Sequence, residues 1–405
     1  MSNQPAAPPP PPPPPSSPPP PPADDEVIDE SEDEVMDAPA KEPESRTFAC
    51  RKCGATLQWD PGAGAVACRY CGHTNPIPEA EGEVEELDFH TYIDQLQQEG
   101  SDLAQMEDVA SVHCDGCGAD VEPRADSSAF DCPFCGAAIN TRAQSKRLVK
   151  PRSLLPFHVP ADKARELYRG WIKKLWFAPN KLKQYARAPG KLHGVYVPYW
   201  TYDTKTTTSY TGRRGEHYYV TRTVRDAKGN TRTRRVRKTR WYPAHGVVFN
   251  DFDDVLVLAA HSLPSDRVEK LEPWDLDNLA PYDEQYTAGF QAQRYQVDLP
   301  EGFEKAKQLV QSEIDRDIRR DIGGDEQRIT SRNTRYDDVR FKHILLPVWI
   351  SSYRYADKVY RFVVNGRTGE VQGERPWSAW KIALAVLAAL AILAPIVYFI
   401  AQAQG

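Results

Sequence analysis

The stretch Cys50-Arg51-Lys52-Cys53-Gly54, answered by Cys68-Arg69-Tyr70-Cys71-Gly72, decides how this chain is read. It recurs as Cys114-Asp115-Gly116-Cys117-Gly118 and Cys132-Pro133-Phe134-Cys135-Gly136, with fourteen residues between the two pairs in both copies. These eight cysteines are all that the chain contains. Each CxxC turn offers two thiolates to one ion, and the intervening hairpin brings the second turn alongside, so the spacing predicts two zinc ribbons with four sulfur ligands each. Glycine follows the second cysteine of every pair, where a knuckle bends sharply and a positive φ is easily adopted. A closed four-thiolate site leaves no open coordination position, so both ions are expected to hold structure and perform no chemistry. A ribbon of about 30 residues buries too little to fold unaided. A structural zinc supplies on the order of 10 kcal/mol of coupled folding free energy. The start of the chain shows no signal peptide, and the thiols are expected reduced and metal-bound rather than in disulfides.

At the other end, Ile382 to Ala401 runs twenty residues without a charge, long enough for a bilayer core. Trp377, Trp380 and Tyr398 flank it as interfacial aromatics do. Arg361, Arg367, Arg375 and Lys381 precede it, and no positive charge follows. The expectation is a single C-terminal span in the cytoplasmic membrane, with the bulk of the chain facing the cytoplasm.

The remainder divides by composition. The chain has 405 residues and a net charge of −6, and many of its 35 prolines crowd the front. Residues 1–45, with proline runs and then eleven acids against one base over 23–45, read as a disordered arm. Ribbon 1 occupies 46–78, an acidic linker with a possible short helix through Phe89, Tyr92, Ile93 and Leu96 covers 79–110, and ribbon 2 occupies 111–145. Residues 146–376 read as a β-rich α+β domain with two amphipathic helices. One is Asp162 to Leu175, with Asp162 available as its cap; the other passes through Phe303, Ala306, Val310, Ile314 and Ile318 and stops at Gly323-Gly324. Residues 377–405 form the anchor. Val197 to Tyr202 and Leu346 to Ser351 echo each other and suggest two related β-rich halves.

Between Arg213 and Arg240, eleven basic residues face only Glu216 and Asp226. A hairpin turning at Lys228-Gly229-Asn230 would array Arg213, Arg214, Arg222, Arg225, Arg232, Arg234, Arg235, Arg237, Lys238 and Arg240 along one face, a surface for anionic lipid, acidic protein or nucleic acid. No phosphate-binding loop, HExxH, GxSxG or strand-to-helix GxGxxG is present, and the nine histidines are scattered. No catalytic residues are assigned.

The paired CxxCG knuckles, Ala288-Gly289-Phe290-Gln291-Ala292 with Tyr295, Asp321-Ile322-Gly323-Gly324-Asp325, Leu346-Pro347-Val348-Trp349, and Asn365-Gly366-Arg367-Thr368-Gly369 through Gly373-Glu374-Arg375-Pro376 together carry a resemblance. Over about residues 46 to 400 the chain resembles a family of bacterial membrane-anchored double zinc-ribbon proteins, labelled TFIIB-type zinc-ribbon proteins and in some cases primosomal helicase relatives. The helicase label would require a nucleotide-binding loop that this sequence lacks. The resemblance implies a non-enzymatic adaptor that recruits cytoplasmic partners to the membrane, in the company of flotillin-like SPFH proteins in membrane-stress systems. A nucleic-acid-binding regulator tethered to the membrane is the alternative.

Overall fold

A computed structural model describes residues 48–77, 84–97, 106–123, 129–140, 144–179, 192–225, 231–355 and 358–403. The expected N-terminal arm and the Lys228-Gly229-Asn230 turn lie outside the described residues.

Three strands set the scale of the molecule: β1 (His193–Arg225), β2 (Thr231–Leu258) and β3 (Glu326–Tyr355), of 33, 28 and 30 residues. At about 3.3 Å per residue, β1 extends over roughly 100 Å. It is the middle strand, antiparallel to β2 on one side and to β3 on the other. Two shorter strands, β4 (Lys358–Asn365) and β5 (Val371–Gly373), continue the sheet beyond the C-terminal half of β3. Val197 pairs with Leu346, so the two echoing hexapeptides lie side by side on antiparallel strands of one sheet. Sequence reading breaks these strands into short pieces because Thr, Ser and Arg interrupt the apolar pattern. The pairing nevertheless runs on through them, with register shifts at Asp203 and near Thr211.

Strand alternation sends odd and even residues of β1 to opposite faces, and different elements cover each. On the even face, Tyr196 meets helix α2 (Ala161–Lys174) and the first four-cysteine ribbon. Trp200 and Tyr202 follow, covered by α1 (Phe89–Gln97) and the start of α3 (Leu299–Ile322). Higher up, Tyr210 lies under the second half of α3. On the odd face, Val195, Val197 and Tyr199 are covered by the second ribbon and by Leu263, Val268, Leu271 and Trp274. Beyond Asp203 that face opens to solvent, with Lys205 and Ser209 exposed and Phe249 74 % exposed.

Helix α3 follows from local chemistry. The Asp298 carboxylate accepts the Glu301 N–H at 2.9 Å, Pro300 sits in the first turn, and Gly323 at φ 64° ends the helix. Its buried residues Ala306, Val310, Ile314, Ile318 and Ile322 recur every fourth position and form one stripe along the sheet. Helix α2 departs from expectation at its start: Pro160 occupies the cap position with no side-chain cap bond, and Asp162 lies in the first turn instead. Helix α1 packs Phe89 and Tyr92 against Phe303 and Phe341, which gives the linker helix a core role.

Helix α4 (Ala379–Ala403) contains Pro395, and its apolar side chains, among them Leu384, Val386, Leu387, Leu390 and Leu393, are exposed on all sides. Among the described residues, however, no helix is long and apolar enough to cross a membrane. The expected span is not established by the fold, because the side chains of 396–401, which complete it in sequence, lie outside the described residues.

Ile314 is fully buried between α3 and the sheet, whereas Leu309 on the same helix is 43 % exposed. Ile314→Ala is expected to cost about 2–5 kcal/mol and Leu309→Ala less than about 1 kcal/mol. The check is the urea unfolding midpoint of each variant.

Candidate functional site

All four knuckles fold alike. The Gly54, Gly72, Gly118 and Gly136 N–H groups donate to the carbonyls of Cys50, Cys68, Cys114 and Cys132 at 2.7 to 3.0 Å. These glycines have φ between 69° and 74°, the left-handed region that a side chain would strain. Each turn therefore points two sulfurs the same way. The result is two clusters, Cys50, Cys53, Cys68 and Cys71, and Cys114, Cys117, Cys132 and Cys135, whose sulfurs lie within 4.8 Å of one another.

The spacing matches metal ligation. Four thiolates about 2.3 Å from a tetrahedral ion stand about 3.8 Å apart. The observed separations are 3.6 Å for Cys50–Cys71, 3.5 Å for Cys53–Cys68, and 3.6 Å for both Cys114–Cys135 and Cys117–Cys132. A disulfide needs about 2.0 Å, and all eight cysteines are free thiols. Within each cluster the thiols are shifted in opposite directions by their neighbours. Backbone N–H groups of Cys71 and Tyr70 lower Cys68 to about 6, and the bonded Cys132 thiol lowers Cys117 to about 5.

The two clusters differ in their surroundings. The second is built into the core, with Phe134 fully buried between its cysteines and the sheet, and the Phe134 carbonyl accepting from Arg361 Nε at 2.9 Å. The first turns its tips outward: Arg51, Lys52, Cys53, Arg69 and Tyr70 are exposed, Tyr70 to 85 %. Its inner side is fastened by Trp59, whose Nε1 donates to the Phe157 carbonyl at 3.0 Å.

One short segment holds both ribbons. The Trp59 N–H donates to the Ala288 carbonyl, the Glu122 N–H to the Ala292 carbonyl, and the Arg294 N–H to the Asp120 carbonyl, while Val121 bridges to Gln293. Gln291–Ala292 also pairs in parallel with Val195 and Tyr196 of β1. Gly289, at φ 85°, lets Gln58 pack where a Cβ would stand. Arg294, nine-tenths buried, pairs with Glu122 and lies 3.6 Å from Glu107. In sequence the motif shows only a glycine inside an aromatic and amide run before an arginine; its clamping role depends on partners remote along the chain.

The basic residues form the far end of the sheet. β3 stops pairing with β1 at Gly215, so β1 and β2 continue as a two-stranded ribbon through Arg225 and Thr231. Alternation divides the cations between faces, with Arg222, Arg234, Lys238 and Arg240 on one and Arg235 and Arg237 on the other, rather than gathering them on a single face. Arg222 directly opposes Arg234, a destabilising like-charge pair. Arg235 stacks on Tyr219 at 4.9 Å and Arg240 on Tyr218 at 5.1 Å. Arg213 and Arg214 lie lower, in the three-stranded part, where Arg214 pairs with Glu216 at 3.1 Å. The side chains of Arg225 and Arg232 lie outside the described residues. The ribbon and the base of α4 sit at opposite ends of the sheet.

The remaining polar residues serve the core. Asp254, at φ 51°, sits beside a register break and pairs with the buried Lys342 at 2.8 Å. His343 is fully enclosed between Trp200 and Tyr295, its Nδ1 2.9 Å from the Val149 carbonyl. Burial lowers its pKa from 6.5 to about 4.

No family model and no solved structure matches the chain. It is similar to the Bacillus subtilis (strain 168) protein described as "Uncharacterized protein YdjG", with 28 % identity over 238 residues. That match covers 58 % of this chain and 66 % of the relative, so the chain spans just under two thirds of the relative's length.

A chelator is expected to withdraw metal in two phases, first from the outward Cys50 cluster, with Cys53→Ser removing the fast phase; one uniform phase would contradict this. For His343, the unfolded chain takes up a proton near pH 6.5 and the folded chain only near 4. Stability contributed above pH 6.5 is therefore lost as pH falls through that window, at up to about 1.4 kcal/mol per pH unit. His343→Gln should flatten the decline in chemical unfolding measured across the same range.

Proposed function

We propose that this chain is a non-enzymatic, membrane-tethered scaffold in which zinc fills both four-cysteine clusters. Ribbon 1 offers a docking face to a cytoplasmic protein partner, of which a flotillin-like SPFH protein is the leading candidate. The observation that carries this reading is the contrast between the two ribbons: both are closed centres with no open ligand position, yet only the first turns basic and aromatic tips to solvent. An exposed tyrosine beside arginines is the usual make-up of an interface hot spot. Zinc is favoured because four thiolates at tetrahedral spacing suit it and a reducing compartment keeps them reduced. Helix α4, with Ile382 to Ala401 uncharged, serves as a single-pass anchor in the cytoplasmic membrane and leaves the bulk of the chain on the cytoplasmic side.

A second reading, nucleic-acid binding, draws on the basic ribbon, whose cations stack on Tyr218 and Tyr219 and stand far from α4. Arginine and aromatic surfaces of this kind suit a polyanion.

The deciding experiment is capture of partners by the intact chain and by Arg69→Glu/Tyr70→Ala. Replacing cysteines would disturb the core that the ribbons support, whereas these two side chains are solvent-facing. Partner recovery is expected to fall by about tenfold or more, with metal content unchanged at two zinc ions per chain. Equal recovery would remove ribbon 1 from the docking role. Duplex or single-stranded DNA binding with a steep salt dependence, lost in Arg234→Ala/Arg235→Ala/Arg237→Ala, would favour the second reading.

A further inference from the structure

Where β5 gives way to α4, an open cavity of about 680 Å³ is lined by Arg267, Lys358 and Arg375 together with Trp171, Tyr360 and Trp377. The cations come from three separate places: the short helix Ser265–Val268, the first residue of β4, and the link between β5 and α4. Glu374 is the one carboxylate in the lining, which leaves an excess of two positive charges. Lys358 and Arg375 are exposed and make no ion pair among the described residues. Arg375 lies over the Trp377 ring, 4.5 Å from its centre.

A second observation gives the cavity its setting. Trp176 and Trp380 are 82 % and 78 % exposed, and with Trp377 and Phe177 they ring the first turn of α4. This aromatic collar is fixed to the folded body. The Ser378 N–H donates to the Phe177 carbonyl at 2.8 Å, and Lys381 Nζ donates to the Trp176 and Ala178 carbonyls. Tryptophan exposed in this way beside an apolar helix belongs at the level of lipid headgroups. A cationic cavity at that level faces phosphodiesters.

We propose that this cavity binds the phosphodiester headgroup of an anionic phospholipid in the leaflet that receives α4. Arg375 is held over Trp377 toward the ligand, Lys358 and Arg267 close the other sides, and the collar admits the acyl chains. The inference rests on the anchoring role of α4. It differs from any role of the basic ribbon, which lies roughly 100 Å away along β1.

The test uses the intact, detergent-purified chain incubated with mixed micelles of phosphatidylglycerol and phosphatidylcholine, then repurified and its retained lipid measured by mass. Phosphatidylglycerol is expected in clear excess. Lys358→Gln/Arg375→Gln should lower its retention by about fivefold per lost cation, since each basic residue at an anionic surface contributes about 1 kcal/mol. Lys358→Arg/Arg375→Lys, which keeps the charges, should restore it. Unchanged retention in the glutamine pair would overturn the proposal, as would displacement of the lipid by inorganic phosphate at equal concentration, which would mark a free-phosphate site. Flotation with pure phosphatidylcholine vesicles examines the anchor separately. A chain that fails to float refutes the anchoring role, while the retention ratio still decides the cavity.

Discussion

The structure depends on two four-cysteine clusters gripping opposite faces of one stretch of strand. Tyr196 on one face and Val195, Val197 and Tyr199 on the other are covered largely by the ribbons and the short segments they hold. The strip Ala288 to Arg294 ties both ribbons to β1 by backbone hydrogen bonds, so each ribbon is braced by the other through the same seven residues. A ribbon alone is too small to fold without its ion. Here each ribbon shares its core with the sheet, so folding of the four-cysteine knuckles and packing of the sheet are coupled.

From that base the sheet extends with steadily less support. Three core clusters on the even face of β1 pass the load from ribbon 1 to α1 and then to α3. Past Gly215 only two strands pair, and beyond His217, which Asp325 and Glu326 hold, they bear like charges opposite one another. A two-stranded ribbon is marginal by itself; cation–π contacts to Tyr218 and Tyr219 offset part of the repulsion. Along the sheet the four-cysteine clusters, aromatic collar and apolar helix lie toward the start of β1, and the cationic two-stranded ribbon lies toward its end.

The legible parts of the sequence were those whose chemistry is local. Cysteine spacing and the glycine after each pair specify a knuckle within five residues, and the Asp298 cap, fourfold apolar stripe and Gly323 stop specify α3 without reference to anything distant. The long strands were legible only in pieces, because Thr204, Thr206 and Thr208 are buried against α3 and look like turn or surface residues in a hydropathy pattern. The Arg213 to Arg240 segment revealed its charge and hairpin form but not its reach, since where β3 stops pairing is a tertiary fact. The same holds for Ala288 to Arg294, whose partners Trp59, Val121 and Tyr196 come from three remote segments. The cavity beside α4 is illegible in the sequence for the same reason: Arg267, Lys358 and Arg375 are far apart along the chain.

Amide hydrogen exchange on the metal-loaded and metal-stripped chain tests the central claim most directly. If the clusters brace the sheet from both sides, stripping should abolish protection over Val195 to Tyr202 and Leu345 to Trp349 while sparing more of Thr204 to Tyr210, which α3 covers. Unaltered protection at the base after both ions have gone would contradict the account.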